Sequence, residues 1–194
     1  MSAPVWLVQT VPPAETPVTI AEAKDWLRVD HDEEDAAIHA IVRAATAELD
    51  GKDGILGRAL VTQTWRADYD AFPTDDVLRL PLYPVQSATV AYWDADNTDQ
   101  VLASESYILL VDIEGAYLSL TAGSSWPAAY ARDDAVRVTF IAGDDVSAVS
   151  AAIKQSILLR IGDLYQNREA AIDGSVAVNP THRAMTMPHW RPFV

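Results

Sequence analysis

The sequence contains no cysteine among its 194 residues. Disulfide bonds, zinc fingers, iron–sulfur clusters and thiolate catalysis are therefore excluded. The most apolar stretch, residues 149–165, is interrupted by Lys154, Arg160 and Asp163. It falls short of the ~20 apolar residues that a membrane helix needs, so we expect a soluble protein without membrane contact. Residues 1–4 have neither a positive charge cluster nor a long apolar run, and we expect no signal peptide.

Basic residues are also scarce. The chain has 14 Lys and Arg against 28 Asp and Glu, which gives a formal net charge of −14. Affinity for nucleic acid comes largely from clustered Lys and Arg that displace counterions, and here these residues are scattered. Tight binding of DNA or RNA is therefore not expected. The length and the 49% hydrophobic content predict one or two small domains with a real core.

Three helical patterns are present. Thr19 and Glu22 form a capping-box signature at the start of a short first helix. Asp32 is predicted to cap a second helix, whose apolar residues recur at helical spacing until Gly51. A third helix follows residues 143–145, and its wide apolar stripe predicts burial on more than one side. That stripe comprises Val149, Ile153, Ile157, Ile161 and Tyr165.

Between residues 60 and 141 the hydrophobic period changes to two. Alternating sets such as Val136, Val138 and Phe140 are separated by turn signals, which predicts five or six short strands in an antiparallel sheet or small barrel. After Asp173 the chain becomes irregular and contains three prolines. We expect an extended tail there, because proline interrupts both helices and central strands.

Each candidate for catalysis or metal binding has a simpler structural explanation. The acidic run of residues 30–35, which includes His31, favours the start of a helix rather than a metal site. Residues 94–105 mimic a calcium loop, but Asp99 stands where glycine is needed, so a hairpin turn is predicted. The four histidines lack metal-binding spacing, and no phosphate-binding loop or nucleophile elbow is present. No enzyme activity, metal or cofactor is predicted.

Several stretches resemble, in their order and spacing, a known family. They are residues 18–30 (VTIAEAKDWLRVD), 57–65 (GRALVTQTW), 80–87 (LPLYPVQS), 135–143 (AVRVTFIAG), 153–159 (IKQSILL) and 165–170 (YQNREA). Together they are similar to the head–tail connector (head-completion adaptor) family of long-tailed phages and gene-transfer agents. The resemblance covers about residues 18–170, and the tail after Asp173 has no match.

The resemblance implies an α+β fold with a helical connector core and a family-specific small antiparallel β domain inserted into it. The core would comprise residues 1–57 and 144–172, with two N-terminal helices and one long C-terminal helix. The β domain would comprise residues 58–143, and an extended tail residues 173–194.

The resemblance also implies a structural role in the virion or phage-like particle, assembled in the host cytoplasm. Twelve copies would form a ring in the neck, packed through the helices, between the portal protein and a neck stopper or tail-terminator protein. DNA would pass through its acidic channel without tight binding. The alternatives are a tail-completion or baseplate protein of the same kind of particle, and a small hydrolase with a carboxylate pair in the sheet domain.

The tail carries residue types that dominate binding energy at interfaces. Trp190, Arg191 and Phe193 are therefore predicted to dock on the portal. The alternative is a tail that folds back and covers its own domain.

Overall fold

The computed structural model describes residues 4–167 and 180–190, which divide into two units. The sheet unit contains residues 4–14 and 62–143, and the helical unit contains residues 15–61, 144–167 and 180–190. No helix in these residues has the length and apolarity to cross a membrane. The boundaries predicted for independently folding domains stay a prediction.

Two antiparallel sheets form the sheet unit. Its strands are β1 (Trp6–Val11), β2 (Gln63–Tyr69), β3 (Val77–Arg79), β4 (Val85–Trp93), β5 (Asp99–Val101), β6 (Tyr107–Asp112), β7 (Gly115–Leu120) and β8 (Val136–Ala142). The five-stranded sheet has the order β1-β2-β8-β4-β5, and the three-stranded sheet has the order β3-β7-β6. Every neighbouring pair is antiparallel.

The alternation of apolar and polar residues along the strands arises because the two sheets pack through their inner faces. Trp65, Ala67, Tyr69, Val136, Val138 and Phe140 are buried on the inner face of the five-stranded sheet. The Tyr69 hydroxyl donates to the carbonyl of Arg79 in the other sheet at 2.7 Å. The Tyr107 hydroxyl donates in turn to the carbonyl of Ala88 at 3.2 Å. Each buried hydroxyl therefore has an acceptor, as burial requires.

The outer face of the five-stranded sheet carries the alternate residues. The strand register aligns Trp6 with Asp68, Asp68 with Arg137, Arg137 with Ala91, and Ala91 with Val101. Because successive side chains of a strand point to opposite faces, these five residues share one face. Val8, Arg66, Thr139 and Thr89 form the next row of the same face.

The helical unit contains α1 (Ile20–Leu27), α2 (Asp35–Ala47), α3 (Ala151–Gln166) and α4 (Pro180–Thr186). The capping box is confirmed: the Thr19 hydroxyl accepts from the Glu22 amide, and the Glu22 carboxylate accepts from the Thr19 amide at 2.7 Å. The predicted stripe of α3 contributes Ile153, Ile157 and Ile161 to the core. Arg160 of α3 joins α2 through a bidentate ion pair with Glu48, with a closest approach of 2.7 Å.

The predicted cap of the second helix is wrong. The α2 helix begins at Asp35, and no side chain caps it. The Asp32 carboxylate instead accepts a hydrogen bond from the Lys24 ammonium at 2.6 Å, and Asp35 accepts from the same ammonium at 2.7 Å. A full positive charge attracts these carboxylates more strongly than a backbone amide does.

The predicted fold class is also wrong. The structure is mostly β-sheet, with eight strands in two antiparallel sheets, and not a helical core with one small inserted sheet. The β1 strand precedes α1 and pairs with β2, so residues 6–11 belong to a sheet and not to a helical core. The α3 helix has 16 residues against 13 for α2, so no single long C-terminal helix stands out.

The tail prediction is wrong for residues 180–189. The α4 helix begins at Pro180, packs against α3 and continues into a 3₁₀ turn at Met187–His189. Proline interrupts a helix interior but is favoured in the first turn, where its missing amide has no acceptor in any case. The prolines of this segment therefore permit the helix that they were expected to prevent.

Candidate interaction surfaces

The acidic segments considered as metal sites are occupied by groups of the protein itself. The Lys24 ammonium forms ion pairs with the Asp32 and Asp35 carboxylates. The Nδ1 atom of His31 lies 3.9 Å from a carboxylate oxygen of Glu33. The hairpin predicted at residues 94–99 is confirmed between β4 and β5, where the Asp94 carboxylate accepts from the amides of Asp96 and Thr98. Within residues 4–167 and 180–190, no group of three His, Asp or Glu side chains is placed to hold a metal ion.

One adjacent carboxylate pair of the sheet unit, Asp133 and Asp134, lacks the electrostatics of a general acid. The guanidinium of Arg132 hydrogen-bonds Asp134 and lowers the pKa of that carboxyl group. Asp133 beside it is exposed. A carboxyl group that donates a proton near neutral pH needs a raised pKa, which burial or a second carboxylate supplies. The lowered pKa of Asp134 therefore argues against a general-acid role for this pair.

A second ion-pair group stabilises the β6–β7 hairpin. Arg79 donates to both carboxylate oxygens of Asp112 at 2.7 and 2.9 Å, and it lies 2.9 Å from Glu114. This bidentate contact lowers the pKa of Asp112 to about 2. Asp112 also accepts from the amides of Glu114 and Gly115, which fixes the turn. The arrangement is structural, and it presents Ile113, 94% exposed, at the hairpin tip.

The outer face of the five-stranded sheet carries an open cleft of about 540 Å³. Its walls include Trp6, Val8 and Tyr130 together with two ion pairs, Arg66–Asp68 and Arg132–Asp134. Arg66 lies 2.9 Å from the buried Asp68 carboxylate. Because each guanidinium already has a carboxylate partner, the cleft offers apolar and aromatic surface beside the exposed Asp133 carboxylate rather than a free cation.

The Trp93 indole contacts two arginine side chains beside this cleft. The guanidinium carbon of Arg132 lies 4.3 Å from a Trp93 ring centroid, and that of Arg137 lies 4.8 Å away. Arg137 is also ion-paired with Asp99 of β5. A guanidinium over an indole face gains a cation–π attraction, and the carboxylates neutralise both cations. Arg137 thereby neutralises Asp99 on the β5 edge of the sheet.

Of the three residues predicted to dock on the portal, the structure describes one. Trp190 follows the 3₁₀ turn and is 55% exposed, and Met187 one turn earlier is also exposed. Arg191 and Phe193 lie outside the described residues. Trp190 therefore has the exposure that a binding residue needs, while the α4 helix before it is packed against α3.

The sequence analysis missed an apolar edge at the other end of the chain. Val5, Trp6, Val8 and Val11 are all exposed on or beside β1. The available signal was a run of β-branched and aromatic residues, residues 5–11, that ends at Pro12. Exposed aromatic and aliphatic residues grouped in one place mark interaction surfaces more often than isolated ones do.

Comparison with known proteins supports a fold relationship over the whole chain. No protein-family model matches the sequence, and no curated protein matches it either. A chain from the neck of an empty gene transfer agent (GTA) particle computed with C6 symmetry is 23% identical, with a TM-score of 0.78, and the match covers 98% of this chain and 97% of that one.

Two further solved structures give the same result. A chain from the virion of the native GTA particle is 24% identical, with a TM-score of 0.78, and a chain from the native GTA neck computed with C12 symmetry is 23% identical, with a TM-score of 0.76. Each match again covers 98% of this chain and 97% of the other. At these identities the likeness shows a shared fold: this chain has the fold of a chain found in GTA particles.

Proposed function

We propose that this chain is a structural subunit of the neck of a tailed phage or gene-transfer-agent particle. In this proposal it is an adaptor that forms a ring, of twelve copies, between the portal and the next neck protein. The observation that carries the proposal is the likeness over 98% of the chain to chains of GTA neck assemblies. The order of the sequence stretches that resemble the adaptor family supports it independently.

The experiment for this role is electron microscopy of particles from a host that expresses the tagged chain. Labelling at the junction of head and tail, together with co-purification of a portal ring, is the expected result. Labelling at the distal end of the tail would instead support the baseplate alternative. Particles without the chain would contradict both structural roles.

The charge of the described residues suits a channel through which DNA passes without being held. Eight basic side chains form ion pairs with carboxylates, and so are unavailable for strong phosphate contacts: Lys24, Lys52, Arg58, Arg66, Arg79, Arg132, Arg137 and Arg160. The whole chain carries a formal charge of −14. A phosphate backbone meets net repulsion at such a surface.

We therefore predict that the purified protein does not retain duplex DNA at physiological salt. Fluorescence anisotropy of a labelled duplex in about 0.15 M salt, where weak phosphate contacts are largely screened, is the measurement. A basic DNA-binding domain of similar mass is the positive control. Sub-micromolar affinity for the duplex would overturn the proposal of a passive channel.

The tail is proposed to dock on the portal through Trp190, Arg191 and Phe193. Residues 174–194 contain Arg183 and Arg191 but no Asp or Glu, so their formal charge is +2 while residues 1–173 carry −16. A basic segment with exposed Trp190 and Met187 is suited to an acidic or aromatic-lined pocket on another protein. Its own chain supplies abundant negative charge, so the competing possibility is contact within the adaptor ring.

We predict that Trp190→Ala lowers attachment to portal-bearing heads at least about tenfold while leaving the melting temperature unchanged. Truncating a tryptophan at the centre of an interface costs about 2 kcal/mol or more, whereas a half-exposed tryptophan contributes little to folding. Deleting the whole tail is a poorer test, because α4 packs against α3 and its loss would uncover apolar surface. Attachment is measured by co-sedimentation with heads.

The matched control is Trp26→Ala, which removes another partly exposed tryptophan of the same unit outside the tail. It is expected to leave attachment unchanged. If Trp190→Ala attaches to heads as well as the natural chain does, the tail has no specific docking role. The same conclusion follows if both variants lose attachment equally.

A further inference from the structure

The five-stranded sheet ends on one side in an edge strand without the usual protection. Among the residues that the structure describes, β1 has β2 as its one neighbour, and Trp6 and Val8 on it are 48% and 46% exposed. Proteins usually protect such edges with charged residues, proline or a bulge. The first charged residue of the chain is Glu15, and the bulge between Gln9 and Val11 leaves Trp6–Gln9 in regular register. This edge is suited to accept another strand.

The opposite edge of the same sheet is β5, which pairs with β4 alone within residues 4–167 and 180–190. Val101 there is 68% exposed, and Asp99 is neutralised by Arg137. The strand register puts Val101 on the same face as Trp6, and Ala91 of β4 pairs with Val101. A sheet that continued from β5 into a second β1 would therefore place apolar side chains of both strands on one face, where cross-strand pairs stabilise it.

We infer that β1 of one copy pairs with β5 of the next copy, so that the five-stranded sheets join edge to edge. This inference rests on the proposed ring, and it names one contact between neighbouring copies, in addition to the helix packing that the family resemblance implies. Because the two edges are different surfaces, the contact is heterologous: every copy donates β1 on one side and β5 on the other. A contact of this type produces a closed ring when its rotation closes, and not a two-fold dimer.

Charge permits this pair of edges. The β1 edge is uncharged, and the acidic hairpin beside β5 meets no like charge there.

The size of the contact indicates assembly in a ring rather than a free dimer. One half-exposed tryptophan and three half-exposed valines offer on the order of 300 Å² of apolar surface. A stable pair needs about 800 Å² on each partner. The edge contact alone is therefore too small for a stable dimer, and it is suited to a closed ring in which each copy makes two such contacts.

Cysteine cross-linking tests the contact, because the natural chain has no cysteine. The double variant Val8→Cys/Val101→Cys is oxidised mildly, both as a concentrated pure protein and within assembled particles, and is run on a non-reducing gel. Four strand spacings, about 19 Å, separate β1 from β5 within one chain, so an internal disulfide is excluded. The expected result is a ladder of multiples of the 21.1 kDa chain, and neither single variant should give it.

The matched control is Val8→Cys/Thr89→Cys, because Thr89 is exposed on the same face but lies in the interior strand β4. This control should stay monomeric. An equal ladder from the control would show contact through the face, and dimers from Val8→Cys alone would show two β1 edges paired. Either of these results overturns the inference. The inference also fails if Val8→Cys/Val101→Cys gives no cross-link either in the concentrated pure protein or in the assembled particles. Particles that lack the chain overturn the proposed function instead, while a ladder in solution still supports the edge contact.

A positive charge placed on the β1 edge provides a second test of the contact. Val8→Lys is expected to weaken ring assembly at least tenfold without changing the melting temperature, because an edge lysine blocks strand addition. Thr89→Lys, on the same face, is expected to assemble as the natural chain does. Normal assembly of Val8→Lys, or an equal loss for both variants, would contradict edge pairing.

Discussion

Replacing Ile157 with aspartate is expected to abolish folding of the helical unit. Ile157 lies in α3, is fully buried, and belongs to the core cluster that α1, α2 and α3 share. An unpaired carboxylate there costs about 5 kcal/mol or more. That cost is comparable with the whole stability of a domain, about 5–15 kcal/mol. The measurement is the soluble yield and the unfolding transition followed by far-ultraviolet circular dichroism.

Ala151→Asp is the control on the same helix. Ala151 is the first residue of α3 and is exposed, and a carboxylate there faces the positive end of the helix dipole. We expect unchanged or slightly higher stability. A soluble Ile157→Asp variant with the natural melting temperature would show that the stripe of α3 is not core, and ring assembly by that variant would show the same.

The second large effect is expected at Gly54, in the loop after α2. A Cβ atom at this position would lie 2.4 Å from the backbone carbonyl oxygen of Asp50 and 2.4 Å from the carbonyl carbon of Leu49. These are backbone atoms of a loop that is already closed by bonds from the amide of Ile55 to Glu48 and from the amide of Gly51 to Arg58. They cannot move without breaking those bonds.

Gly54→Ala is therefore expected to lower the free energy of unfolding by about 3 kcal/mol or more, at the upper end of what overpacking costs. Gly162→Ala is the matched control within α3. Its Cβ would meet the Trp26 indole nitrogen at 3.5 Å, an ordinary contact. It should raise the free energy of unfolding by about 0.5–1 kcal/mol, because alanine favours a helix over glycine.

Urea titration of both variants gives the two free energies by linear extrapolation. If Gly54→Ala unfolds at the same urea concentration as the natural chain, the turn after α2 does not have the close backbone approach described above. If Gly162→Ala is destabilised as strongly as Gly54→Ala, the effect comes from losing glycine in general, and the steric explanation fails.

The predictions from sequence that are confirmed have local determinants, although the Asp32 cap, which is also local, is wrong. The capping box at Thr19 and Glu22 depends on residues three positions apart, and the structure has both of its hydrogen bonds. The alternation of Val136, Val138 and Phe140 depends on next-nearest neighbours, and these residues are buried in β8. The α3 stripe is buried for the same reason.

The interaction surfaces were only partly predictable. Trp190 was singled out because it stands in a tail that was expected to be irregular; the side chain is exposed, and its docking role stays a prediction. The edge formed by Trp6 and Val8 was missed, because a strand-like run gives no sign of whether its second edge is paired. That depends on which strands become neighbours, and β1 happens to lie at the end of its sheet.

The sequence by itself determined the local elements, the absence of cysteine chemistry and the negative charge, because these depend on composition and on neighbours a few residues apart. Only the tertiary structure decided that β2 lies beside β8, about 70 residues away in the chain, and that β1 adds to the same sheet. It also decided that α4 packs on α3 instead of extending as a tail. Strand neighbours and helix docking are selected by burial of apolar surface between distant segments, and the free energy of that burial belongs to the whole fold and not to any local pattern.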